Sequence, residues 1–202
     1  MRLAALALVL ATSPAYADGF YYSQSYGISS ARGDGAAPLG ESLQLRIAFG
    51  WRVGAFTFGP LLGANMAVER DNAYFGFVGG DPVMGDSDLK MYGFDARYHG
   101  AITDHLVMYV RGGPRYASGL GDLDGYSGFG IGGGTGVQLT GRVRALGFLF
   151  APAFFLKKGP MVTASVFLDE SVEWYQLSKS NMPGLSMPLV GTAVGIAAGS
   201  HF

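Results

Sequence analysis

From Leu43 to Val53 the odd positions hold Leu43, Leu45, Ile47, Phe49, Trp51 and Val53, and the even ones hold Gln44, Arg46, Ala48, Gly50 and Arg52. Six apolar side chains at a period of two, facing a polar or tiny set, define an amphipathic strand, because a helix would scatter them around its circumference. The same alternation recurs. Phe56, Phe58, Pro60, Leu62, Ala64, Met66 and Val68 oppose Thr57, Gly59, Gly63, Asn65 and Glu69. Tyr92, Phe94, Ala96 and Tyr98 oppose Gly93, Asp95, Arg97 and His99, and Leu106, Met108 and Val110 oppose Val107, Tyr109 and Arg111. Phe129, Ile131, Thr135, Val137 and Leu139 run against Gly130, Gly132, Gly134, Gly136 and Gln138. Leu146, Phe148, Phe150, Phe154 and Leu156 follow the rule, and Phe20 to Ile28 does so more loosely.

These strands run to roughly 10–14 residues, longer than the 5–6 common in globular sheets and suited to tilted membrane crossing. A face carrying arginine, aspartate and glycine does not belong in lipid, so the polar set points inward and the apolar set outward. Lipid cannot satisfy a free sheet edge, so the sheet must close. The predicted fold is therefore all-β: a closed antiparallel transmembrane β-barrel of 8 to 10 strands. Val53-Gly54-Ala55, Gly100 to His105 and Thr140 to Val143 read as short turns, whereas Arg32 to Ser42, Glu69 to Asp88 and Ala117 to Gly128 read as longer loops. Short periplasmic turns and longer extracellular loops are the asymmetry of such barrels.

Seven strands span Phe20 to Leu156, and Val190 to Phe202 adds an eighth. Val162 to Leu168 and Val172 to Leu177 form two further strand-like pieces. If both cross, there are ten strands; if both belong to an outer hairpin, there are eight. Lys157-Lys158-Gly159-Pro160 reads as a tight reversal and tips the expectation to ten. Pro60 and Pro152 cannot donate to a ladder and predict local bulges.

Composition sharpens the picture. Charged residues are 14% of the chain against roughly 25% in soluble domains, and there are 33 glycines and no cysteine. Met1-Arg2, the apolar run Leu3 to Ala11 and Ala15-Tyr16-Ala17 predict a signal peptide over residues 1–17, leaving the barrel over 18–202. Without Arg2, 13 basic residues face 15 acidic ones, a balance that argues against a nucleic-acid partner.

Val190, Thr192, Val194, Ile196, Ala198, Ser200 and Phe202 share a face of the last strand. That terminal alternation ending on Phe202 resembles the assembly signal of bacterial outer-membrane barrels. With the leader, the strand pattern and the loop asymmetry, the whole mature chain resembles the small OmpA/OmpX-type outer-membrane barrel proteins. The resemblance implies outer-membrane localisation, contact with outer-membrane lipid and lipopolysaccharide, and insertion by the barrel-assembly machinery, Val194, Ile196 and Phe202 carrying the signal. It implies no activity.

The inferred lumen holds a charge network of Arg46, Arg52, Arg97, Arg111 and Arg115 against Asp95, with Glu69 and Asp169 nearer strand ends. A turn centred near Thr103 places Asp95 opposite Arg111 and Arg97 opposite Tyr109. Buried charges must be paired or wet, so this network is expected to prop a narrow barrel; a narrow anion-favouring pore is the alternative. Trp51, Tyr92, Tyr98, Phe154 and Phe202 suit the aromatic girdles at the membrane interfaces.

Catalysis is not expected. His99, His105 and His201 all fall near the periplasmic rim, and His99 lies about 13 Å from Asp95 along a strand, beyond hydrogen-bond reach. Arg32-Gly33-Asp34 spells an adhesion tripeptide that chance readily produces in a glycine-rich loop. Glu69, Asp71, Asp81, Asp86 and Asp88 show no metal-ligand spacing, so neither metal nor cofactor is expected. The functional expectation is a structural or surface-interaction role, with a secreted lipocalin-like barrel as the inverted alternative. That alternative turns Leu43, Ile47 and Trp51 inward and Arg46 and Arg52 to water.

Overall fold

A computed structural model describes residues 19–32, 39–68, 84–143 and 162–200. The strands are β1 (Gly19–Ala31), β2 (Glu41–Val53), β3 (Phe56–Val68), β4 (Met84–Ala101), β5 (Leu106–Leu120), β6 (Ser127–Val143), β7 (Val162–Ser178) and β8 (Leu185–Ser200). Each is antiparallel to its neighbours in sequence, and β8 closes on β1. Phe20 leads through its partners Trp51, Phe58, Ala96, Gly112, Gly133, Val172 and Val190 back to Ser30 on β1. That circuit returns ten residues above its start. Eight strands with a stagger of ten tilt by about 40° and enclose an interior that side chains can fill.

The expectation of ten strands fails. β6 pairs β7 along their whole length, so the ring closes without Leu146 to Leu156, which lies outside the described residues together with the 157–160 reversal. Val162 to Leu168 and Val172 to Leu177 are one continuous strand, not two crossings or a hairpin. Thr140 to Val143 is not a turn but the end of β6, paired with Val162 to Ser165. The third loop is also shorter than expected, since β5 and β6 leave only 121–126 between them, including a 3-10 turn at Gly121–Leu123. A bulge near Val68 and Met84 offsets β3 against β4; Pro60 itself sits in register opposite Phe94, on the outer face.

The β2–β3 turn is Gly54-Ala55, with Gly54 at φ +55°. Such two-residue hairpins need a positive φ at their first central position, which glycine adopts without cost. Gly54→Ala is expected to lower unfolding stability by about 1–2 kcal/mol, measured from urea midpoints in lipid vesicles; an unchanged midpoint would refute the assigned turn geometry.

Period-two alternation holds around the ring. Leu43, Trp51, Phe58 and Leu62 are exposed on the outside, while Gln44, Arg46, Thr57 and Asn65 are buried inside. Trp51 is 54% exposed and Arg46 only 3%, so the inverted lipocalin-like assignment is excluded.

Candidate functional site

Three tiers fill the described interior, and the middle one gathers most of its charge. Strands β2, β4, β5 and β7 aim Arg46, Asp95, Arg111, Arg115, Asp169 and Glu173 at one another across the lumen. Arg115 Nη2 lies 2.6 Å from Asp95 Oδ1, and Arg111 Nη1 lies 3.7 Å from the same oxygen. Arg111 Nη2 and Nε donate to Asp169 Oδ2 at 2.7 and 3.0 Å. Arg46 bridges Asp169 at 3.9 Å and Glu173 at 3.0 Å, and Glu173 returns to Arg115 at 3.5 Å. The six charges thus alternate in a closed cycle: Asp95, Arg111, Asp169, Arg46, Glu173, Arg115 and Asp95 again. Arg115 also donates from Nη1 to Phe94 O at 2.6 Å, and Tyr175 Oη donates to Glu173 Oε2 at 3.0 Å. Every member is buried. Since each of these charges has opposite-sign neighbours, the tier holds itself together where isolated ions would be expelled.

Arg97 hangs from this cycle toward the termini. Its Nε donates to Asp95 at 3.2 Å and its Nη1 to Tyr21 Oη at 2.5 Å. The guanidinium carbon lies 5.3, 5.5 and 6.0 Å from the ring centres of Tyr21, Tyr109 and Phe167, an aromatic cage for a weakly hydrated cation. His99 packs against Tyr21 and Tyr109 and shares a 3.0 Å hydrogen bond with Thr57. Among the described residues it makes no ion pair with a carboxylate, and it is held as a packed polar group.

The third tier, at the loop end, is apolar. Leu89, Met91, Tyr175, Leu177, Met187 and Leu189 point inward, and Leu39, Leu123 and Tyr126 from the connecting segments cover them. Lys179 fastens that cover, donating to Asp124 O at 2.6 Å and lying 5.5 Å from the centre of the Tyr126 ring.

Side chains this large fit because facing positions are glycine. A Cβ on Gly136 would lie 2.3 Å from Tyr109, one on Gly195 2.3 Å from Phe167, and one on Gly93 2.7 Å from Arg115.

Of the expected charge network, Arg46, Asp95, Arg97, Arg111 and Arg115 come together. Arg52 does not share their tier: it stands half-buried at the rim, with Nε donating to Gly54 O at 3.3 Å. Asp169 belongs to the centre of the network, not to a strand end, and Glu173 is a member that the sequence reading missed. The register also differs: Arg97 pairs with Arg111 and His99 with Tyr109, two residues from the expected pairing, because the reversal is centred at Asp104. A slip of two preserves faces, so Asp95 still reaches Arg111 and Arg97 still stacks near Tyr109. Glu69 lies outside the described residues.

On the outside, Trp51 and Tyr92 are exposed and Tyr98 is half-exposed, edge to face with Phe56 at 5.1 Å. Phe154 lies outside the described residues. Val194 is exposed and Ile196 half-exposed on the outer face of β8, while Phe202 lies outside the described residues. Residues 33–38 of the tripeptide loop and 69–83 of the acidic loop also lie outside them. Among the described residues no group of three or more histidines, aspartates or glutamates is disposed to hold a metal ion.

No protein-family model and no curated protein sequence matches the chain. Solved structures do match in shape. Neisserial surface protein A superposes with a TM-score of 0.57 at 17% identity, covering 90% of this chain and 98% of that one. The attachment invasion locus protein Ail of Yersinia pestis gives 0.44 at 13% identity over 91% and 99% of the two chains. The outer membrane protein OprG of Pseudomonas aeruginosa gives 0.43 at 11% identity over 93% and 99%. The shared fold is clearest with the first of these. With its apolar outer face, closed ring and this likeness, the chain has the fold of the small eight-stranded outer-membrane β-barrels.

Proposed function

We propose that the chain acts as a sealed, non-catalytic outer-membrane barrel whose role is exerted through the surface at its loop end. The observation that carries this reading is the stacking of the ion-pair cycle beneath an apolar tier that loop residues cover. Among the described residues, an ion entering from the loop end would meet Leu123, Leu177 and Met187 first, all essentially inaccessible. It would then meet arginines already held by carboxylates. Four arginines against three acids leave one excess positive charge, which is the basis of the anion-pore alternative. Conduction, however, would require the cycle to open.

In this reading the interior is a strut and the loops are the contact surface, facing lipopolysaccharide or a surface partner. The name of the Neisserial relative, a surface protein, agrees with it. Trp51, Tyr98 and Phe154, with Tyr92 nearer the loops, would serve as interfacial girdles. Val194, Ile196 and Phe202 would be read by the barrel-assembly machinery. Planar-bilayer recording tests the central point. The folded protein, verified by faster gel migration before boiling, is expected to insert without steady current. A steady, salt-dependent and anion-selective current would replace this reading with the pore.

A further inference from the structure

We propose that the outer seam between β6 and β7 is the interface through which two copies of this chain pair side by side in the membrane. The reason lies in Glu170. Along the outer face of β7 run Val166, Leu168, Glu170, Val172 and Trp174, so the carboxyl occupies the middle of a strand that otherwise presents apolar side chains to lipid. Among the described residues it makes no hydrogen bond or ion pair. A lipid-facing amide elsewhere on this barrel is treated differently: Gln24 accepts from Tyr22 Oη at 2.7 Å and donates to Tyr26 Oη on its own strand. Ionisable groups at membrane depth are retained where something meets them.

The neighbours of Glu170 indicate a second copy as that something. Thr135 of β6 is its cross-strand partner on the same outward row, and Gly133, one outward position away, pairs with Val172. A two-fold axis along the membrane normal, placed between β6 and β7, sets each Glu170 against the other copy's Thr135. Two reciprocal hydroxyl-to-carboxyl hydrogen bonds result, donor and acceptor both coming from this chain, as an isologous contact requires. The same operation sets each Val172 against the other copy's Gly133. A Cβ on Gly133 would approach only Arg111 O, at 3.4 Å, so its outer side is open to receive the valine. Close approach at a small residue, joined by polar side chains, is how protein surfaces associate within lipid.

The chain has no cysteine, so a single introduced thiol reports position cleanly. Val172→Cys in native outer membranes, treated with a short bismaleimide, is expected to yield a species of twice the chain mass. Leu62→Cys, outward-facing on β3 across the barrel, is expected not to. Adding Glu170→Leu to Val172→Cys is expected to lower the cross-linked fraction about tenfold, with Glu170→Gln intermediate because an amide still pairs with a hydroxyl. Heat-dependent gel mobility confirms that each variant is folded; if the leucine variant is not, the glutamine variant and the two cysteine positions decide. The proposal is overturned if Val172→Cys stays monomeric or links as readily as Leu62→Cys. It is equally overturned if adding the Glu170 substitutions leaves the cross-linked fraction of Val172→Cys unchanged, or if the adduct has the mass of another protein.

Discussion

Asp95→Ala is expected to destabilise the barrel by about 3–5 kcal/mol, the usual result of removing one partner from a buried ion pair. Asp95 is in contact with three guanidinium groups, Arg97 at 3.2 Å, Arg111 at 3.7 Å and Arg115 at 2.6 Å. Its loss breaks the cycle and leaves four interior arginines against two carboxylates. Arg111 keeps Asp169 and Arg115 keeps Glu173, but Arg97 loses its described anionic partner and retains Tyr21, Ser23 and the ring faces. Asp95→Asn keeps the shape and one acceptor oxygen, and its cost is expected to fall between alanine and wild type. Urea unfolding in lipid vesicles, followed through Trp51 and Trp174 on the outer face, measures both variants. Because the cycle is buried, the alanine deficit should persist when salt is raised, unlike that of a surface pair. A deficit under about 0.5 kcal/mol, or one erased by salt, would mean that the cycle does not prop the barrel.

Much of this was legible in the sequence, for a definable reason. Period-two alternation reports which face a residue takes, and five of the six residues placed in the lumen network do meet in or beside the central tier. Alternation does not report closure. Leu146, Phe148 and Phe150 alternate as well as any strand, yet β6 and β7 pair without them. Register is equally silent in the pattern, since a slip of two leaves every face intact. That Glu173 was missed and Asp169 set near a strand end has a sharper cause. Inward positions on β7 run Ser165, Phe167, Asp169, Ser171, Glu173 and Tyr175, a clear alternation once the strand is taken whole. Glu170 on the lipid face interrupts the apolar set, so Asp169-Glu170-Ser171 reads as a polar break and one strand looks like two. The residue that hid Glu173 is the one that marks the outer seam.

Gly136→Ala is the second large effect, and it tests packing without removing any charge. The added methyl would lie 2.3 Å from Tyr109 Cζ and Oη and 2.6 Å from Leu168 O, closer than atoms can approach. The tyrosine ring is held on its other sides, with Arg97 5.5 Å from its centre and Phe167 edge-on at 6.1 Å. It therefore cannot swing away without disturbing the cage that holds Arg97. Overpacking of this kind is expected to cost about 1–3 kcal/mol, and the β6–β7 ladder must also widen to relieve Leu168 O. Truncating the ring separates the two strains. Tyr109→Ala alone opens a void and is expected to cost about 3–5 kcal/mol by analogy with other buried aromatics. In that background Gly136→Ala should add much less than it does alone, because the methyl enters the vacated space. A double-mutant cycle from urea midpoints gives the coupling directly, and a value beyond about 0.5 kcal/mol is expected for atoms in contact. Strict additivity would place the strain in the Leu168 carbonyl instead, and would mean that the glycines of β6 serve strand spacing before they serve the interior.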